Sequence, residues 1–171
     1  MDSAHAAMAK MVAVQDIEYL RRQYALATDQ IGEGTAASIK AGTATYHRIF
    51  TPDATLRVAS ETISDVSTGP DEWVKVVTDA LETYTSTQHL IGTQLVDIRS
   101  LDIDADGQVA GGEATMSSYL QAWHAEGDER VWLFLGTYND KVRFTPGLGW
   151  QIYDMSLVQV SGEERAMGRS S

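Results

Sequence analysis

Four segments of strand character occupy the second half of the chain, and a short turn-forming cluster separates each from the next. The segments are Thr93–Leu101, Val109–His124, Arg130–Phe144 and Trp150–Val160. Between them stand Asp104-Ala105-Asp106-Gly107, Ala125-Glu126-Gly127-Asp128 and Pro146-Gly147-Leu148-Gly149. Glycine, proline and aspartate provide the backbone angles of tight turns, and connections this short join antiparallel neighbours. An antiparallel meander follows, and its apolar face needs a cover from elsewhere in the chain.

The first half supplies that cover. From Val14 to about Ile31, Ile17, Leu20 and Tyr24 fall near a 3.6-residue period, with Arg21, Arg22 and Gln23 off the stripe. Gly32 and Gly34 interrupt the pattern. Ala36–Phe50 reads as a second helix, weakened by Gly42. Thr51-Pro52-Asp53 is a stop signal, Ala54–Ser60 alternates as a strand, and Glu61–Val66 is read as its hairpin partner. Gly69-Pro70-Asp71-Glu72 opens a third helix running to about Thr83, with proline and acids suited to a first turn. The layout is α+β, with helices on one face of a curved sheet. Residues 1–13 are expected to be a flexible lead-in, 14–160 a single domain, and 161–171 a polar tail.

The 171 residues are 43% hydrophobic, enough for one sizeable core. No cysteine is present, which excludes thiolate metal sites and a cysteine nucleophile. The formal charge of -11 repels phosphate backbones and anionic membrane surfaces, so neither nucleic acid nor membrane is expected as a partner. His5 and Lys10 interrupt the N-terminal stretch, which lacks the layout of a secretory signal. A cytoplasmic protein is expected.

Chemistry concentrates at Thr87-Gln88-His89-Leu90-Ile91-Gly92. His89 lies between the third helix and the first strand of the meander, at an expected element boundary where an imidazole can point into a cavity. Histidine titrates nearest neutrality and suits proton transfer. Asp102-x-Asp104-x-Asp106-Gly107-x5-Glu113 has the spacing of an EF-hand calcium loop. Its flanks read as strands where that motif needs helices, so a hairpin turn is expected and no metal site is assigned. His5, His47 and His124 have no ligand spacing with one another. No phosphate-binding glycine fingerprint and no Gly-x-Ser-x-Gly elbow occur.

The order of elements, together with these residues, resembles the SnoaL-like branch of the nuclear transport factor 2-like superfamily, in particular scytalone dehydratases, bile-acid dehydratases and the lindane dehydrochlorinase. The His89 motif is similar to the scytalone dehydratase version. Asp29 falls where these proteins place an aspartate at the end of the first long helix, and Tyr24 matches a tyrosine of the bile-acid dehydratases. Thr55-Leu56-Arg57-Val58, Gly136-Thr137-Tyr138-Asn139-Asp140 and Gly149-Trp150-Gln151-Ile152 resemble three family strands. The resemblance implies a cone: a strongly curved antiparallel sheet closed by three helices around a cavity. It implies a lyase without metal or organic cofactor, acting on a small hydroxylated aromatic or polycyclic compound. Asp29, His89 and Tyr24 would be catalytic, and Tyr46, Tyr119, Tyr138 and Trp132 would contact substrate. It also implies a homo-oligomer, a trimer ahead of a dimer. Departures exist. The second histidine of scytalone dehydratases falls near Ser118-Tyr119-Leu120, with His124 too far along the strand. Their first-strand tyrosine is Ser60 here, and the dehydrochlorinase arginine is Met155. An isomerase or cyclase using the same pair, a non-catalytic ligand-binding module and a calcium-binding module are the competing readings.

Overall fold

The computed structural model describes residues 3–60, 64–127 and 129–166. In chain order the elements are α1 (Ser3–Gly32), α2 (Ala36–Ile49), β1 (Phe50–Ala59), β2 (Ser64–Thr68), α3 (Gly69–Leu81), β3 (Ser86–Ile103), β4 (Val109–Glu126), β5 (Arg130–Thr145) and β6 (Gly149–Ala166). The class is α+β: three helices from the first half of the chain close one face of a curved sheet.

The expected lead-in is helix. Ala9 and Ala13 are buried on the same stripe as Ile17, Leu20, Tyr24, Ala27 and Ile31. Alanine is the strongest helix former, so the stripe propagates upstream to Ser3 instead of stopping at Val14. A capping box between Thr35 and Ser38 starts α2. Gly42, read as a weak point, is needed for packing. A Cβ there would lie 2.6 Å from Ile31 Cγ1 and 2.7 Å from the Ala27 carbonyl oxygen, so it is what lets α2 lie close on α1. In α3, Trp73, Val77 and Leu81 recur at intervals of four and face the core. Its entry is fixed by the Glu72 carboxylate, which accepts the Thr68 N–H at 2.7 Å.

The described strands form one sheet in the order β2-β1-β6-β5-β4-β3. The meander β3 to β6 is antiparallel, as are β1 and β2. β1 and β6 run parallel, with Phe50 opposite Ile152 and Ala59 opposite Val158, so the sheet is mixed. The hairpin partner of β1 begins at Ser64, and residues 61–63 of that expectation lie outside the described residues. Residues 161–166, expected in a polar tail, extend β6 because β5 pairs with them as far as Arg130 opposite Ala166. The rest of the tail lies outside the described residues.

Two local features bear on the site. β3 begins at Ser86, seven residues before the expected start, because β4 is long enough to pair Ser86 with Ala125. His89 therefore sits inside a strand and not at its edge. Beyond it, a register shift between Gly92 and Leu95 carries Thr93 at φ 44°, which lets Gln94 turn inward. Its amide donates to the Glu18 carbonyl on α1 at 2.9 Å, tying helix to strand. At the far end, the EF-hand-like segment is the β3–β4 hairpin. Asp104 Oδ1 accepts the N–H groups of Asp106 and Gln108 at 3.0 and 2.9 Å, and strands flank the loop on both sides.

Candidate active site

Asp29, on the last turns of α1, meets β3 through three hydrogen bonds. Its Oδ1 lies 2.7 Å from His89 Nδ1 and accepts the Thr87 hydroxyl at 2.9 Å. Its Oδ2 accepts the His89 backbone N–H at 3.1 Å. A carboxylate only accepts, so Nδ1 carries a hydrogen and Nε2 keeps the lone pair of the neutral ring. The ring is nearly enclosed, with 7% of the side chain exposed, and it lines a cavity of about 130 Å³.

The walls of that cavity are aromatic and aliphatic. Trp73, Val77 and Leu81 come from α3, Tyr24 and Thr28 from α1, and Leu120, Trp132, Phe134, Tyr138 and Leu157 from the sheet. Tyrosines make one side. Tyr24 stacks on Tyr46 with centroids 5.2 Å apart and meets Tyr138 edge-on at 5.6 Å. The Trp73 indole N–H donates to the Tyr24 hydroxyl at 3.1 Å. Tyr46 lies behind this wall, fully buried, with its hydroxyl 2.6 Å from Thr28 Oγ1, which itself donates to the Tyr24 carbonyl. Burial, followed by the neighbouring Tyr24, pushes the Tyr46 and Tyr138 phenols well above their ordinary pKa, so both stay protonated.

His124 meets the His89 ring edge-on from the neighbouring strand β4, on the same wall of the cavity. The ring centroids are 5.6 Å apart at 87°. His124 Nδ1 lies 3.3 Å from the Trp132 carbonyl and donates to it, and Tyr84 covers the ring at 4.8 Å. Burial, reinforced by His89, lowers the His124 pKa to about 4, so this imidazole is neutral at pH 7 with Nε2 unprotonated. The reading that His124 lies too far along its strand is corrected. Ser118, Leu120, Ala122 and His124 alternate onto the inner face of β4, and the long register against β3 sets His124 opposite Thr87. The period-two pattern from Ser118 already carried that signal.

Of the residues singled out from sequence, Asp29, His89, Tyr24, Tyr138 and Trp132 come together around the cavity. Tyr46 supports the wall from behind and does not line it. Tyr119 is on the opposite face of β4, 58% exposed, because it alternates with the inward Ser118 and Leu120. Residues missed by sequence are Tyr84 and Phe134 in the lining, and Arg21, which is buried beneath it; Trp73, on the apolar side of the third helix and one of the aromatic residues on which a substrate could stack, also lines the cavity. Among the described residues no three His, Asp or Glu side chains converge as metal ligands.

The sequence profile of the SnoaL-like domain matches residues 14–156. Among solved structures, a provisionally named scytalone dehydratase from Novosphingobium aromaticivorans DSM 12444 is similar with a TM-score of 0.69 and 20% identity, over 96% of this chain and 99% of that one. The hexachlorocyclohexane dehydrochlorinase LinA-type3 from Novosphingobium barchaimii LL02 gives 0.65 at 15% identity, over 98% and 96%. A provisionally named aromatic ring hydroxylase from Novosphingobium aromaticivorans gives 0.65 at 18% identity, over 92% and 94%. At these identities the likeness establishes a shared fold. No curated protein matches the sequence.

Proposed function

From the premise that the chain belongs to the SnoaL-like domain family, we propose that it is a cofactor-independent lyase in which His89, oriented by Asp29, is the general base. The observation that carries this reading is the 2.7 Å contact from Asp29 to His89 Nδ1 on the wall of a largely apolar cavity. The carboxylate fixes the tautomer and stabilises the imidazolium that forms when Nε2 takes a proton. That proton comes from a carbon next to a carbonyl, and its bonding electrons form the new double bond as the hydroxyl one carbon further leaves, taking the proton back from the His89 imidazolium to depart as water. In the retro-aldol variant the proton comes from a hydroxymethyl O–H, the C–C bond breaks to release formaldehyde, and its electron pair, left on the substrate as an enolate, takes the proton back from the imidazolium. The hydroxyls of Tyr24 and Tyr138, on the tyrosine wall, hold the substrate oxygen. Similar structures named for a dehydratase and a dehydrochlorinase support an elimination.

The substrate is a small hydroxylated aromatic compound. A cavity of roughly 150 Å³ holds a benzene-sized molecule, so about 130 Å³ favours one ring over a polycyclic system. The lining carries no lysine or arginine, so no cationic side chain reaches into the cavity to pair with a carboxylate or phosphate group. We place the protein in the cytoplasm: among the described residues no helix is long and apolar enough to cross a membrane, and the sequence has no cysteine. A homo-oligomer, by family resemblance a trimer, accords with Leu90, Tyr119, Val158 and Val160 exposed on the outer sheet face.

The test is a screen of hydroxylated single-ring compounds, followed by mass spectrometry for loss of water or formaldehyde, with wild type and His89→Ala side by side. Turnover that depends on His89 supports the reading. Equal turnover by both proteins defeats it.

A further inference from the structure

Arg21 is a fully buried guanidinium with no place in the proton transfer described above. It follows α1 one turn before Tyr24, and Asp140 lies two residues beyond Tyr138 on β5, so the two pairs interlock across the helix–sheet interface. The guanidinium carbon is 3.8 Å from the Tyr138 ring centroid and 4.5 Å from that of Tyr24. Nε donates to Asp140 Oδ2 at 3.2 Å, Nη2 donates to Oδ1 of the same carboxylate, and Nη1 points at Met155 Sδ at 3.5 Å. All three guanidinium nitrogens are thereby engaged, and the ring faces the cation covers belong to the two tyrosines that line the cavity.

A buried ion pair is weak evidence for a stability role, since apolar replacements of similar volume are often neutral or better. A cation against an aromatic face withdraws electron density from the ring and favours negative charge near its hydroxyl. Two phenols backed by one cation, opening on a largely apolar cavity, form a surface suited to negative charge on oxygen. We infer that Arg21 is a positioning residue that converts the Tyr24–Tyr138 wall into a binding surface for an anionic oxygen, the enolate or phenolate form of the ligand. The inference rests on the lyase reading only for which oxygen is held during turnover.

The probe is 4-nitrophenol, whose phenol and phenolate forms absorb at different wavelengths and which ionises near neutrality. The titration is run without turnover in the His89→Gln background, which removes the proposed base. The bound probe is expected to ionise at lower pH than the free probe. Arg21→Met/Asp140→Leu, which removes both charges and leaves no orphan, is expected to reduce that phenolate preference by about tenfold. Circular dichroism checks its fold. Should the double variant not fold, Arg21→Lys, which keeps the charge but not the planar stack, is expected to lose part of the preference, as is Tyr138→Phe with the ion pair intact. A probe bound in its phenol form overturns the inference, as does an unchanged phenolate preference in folded Arg21 variants. Neither result bears on His89-dependent turnover, and absent turnover with preserved phenolate preference defeats the lyase reading alone.

Discussion

One carboxylate, that of Asp29, holds both the main chain and the ring of His89: Oδ2 takes the backbone N–H at 3.1 Å while Oδ1 meets Nδ1 at 2.7 Å. Strand position and ring orientation are thus set by the same group, 60 residues away in sequence.

Asp29→Asn keeps the shape and loses the charge. The amide cannot accept at both positions, so ring orientation and the tautomer are released. The expected outcome is a fall in kcat/KM of about 10²–10⁴ with KM little changed, measured on whichever substrate the screen finds.

His89→Ala removes the base itself. The expected loss is roughly 3–5 kcal/mol of transition-state stabilisation, read as kcat/KM against wild type. A folded variant that retains more than about a tenth of wild-type kcat/KM ends the general-base proposal, because a tenfold change is only about 1.4 kcal/mol.

His124 predicts a pH dependence of stability. Its folded pKa of about 4 lies below the unfolded value of 6.5, so the unfolded chain binds more protons between these limits. The stabilisation is complete above pH 6.5 and is lost as pH falls toward 4. Urea unfolding at pH 7 and pH 4.5 is expected to differ by about 2–3 kcal/mol from this group. His124→Gln should remove that share of the slope; an unaltered slope in the variant would mean that the imidazole is not held neutral.

Tyr119→Ala is expected to leave ligand affinity and kcat/KM within about twofold, since the side chain stands on the outer face of the sheet. If the proposed homo-oligomer forms through this face, the substitution is expected to change the assembly state, followed by size-exclusion chromatography with light scattering. A large loss of affinity without a change in assembly would return Tyr119 to the site.

At the β3–β4 hairpin, Asp104 and Asp106 are not equivalent. Asp104 accepts two backbone N–H groups, so Asp104→Ala should lower stability by about 1 kcal/mol. Asp106→Ala should stay within about 0.5 kcal/mol. Calcium is expected to leave the Tm of the parent unchanged, and a rise on calcium addition would favour a cation site instead.

Residues that report their own environment were readable in advance. The meander followed from turn clusters, α3 from its proline and acids, and Asp29 with His89 from the family resemblance. Tyr119 and His124 were misplaced for one reason: the alternation along β4 itself decides which side chains reach the cavity, and matching single positions to a family overlooks it. A single period-two series through Ser118 and Leu120 places one outward and the other inward. Arg21 looked like a surface residue because it sits beside Arg22 and Gln23, off the apolar stripe. Only the sheet brings Asp140 to it, and nothing local to α1 announces a partner 119 residues away. The upstream end of α1 was missed because alanine and methionine without a marked cap give no start signal, although Ala9 and Ala13 continue the buried spacing.

The parallel pairing of β1 with β6 also sets a schedule for biosynthesis. β6 occupies the middle of the sheet, between β1 and β5, yet it is translated about 100 residues after β1. At roughly 5–20 residues per second, β1 and its β2 partner wait about 5–20 s on the ribosome for the strand that joins them to the rest. During that interval the apolar face of β1, with Ala54, Leu56 and Val58, has only the nascent helices to shelter it. A ribosome stalled before Gly149 would hold two sheet fragments with open inner edges, the state in which this chain is most exposed to chaperones and to aggregation.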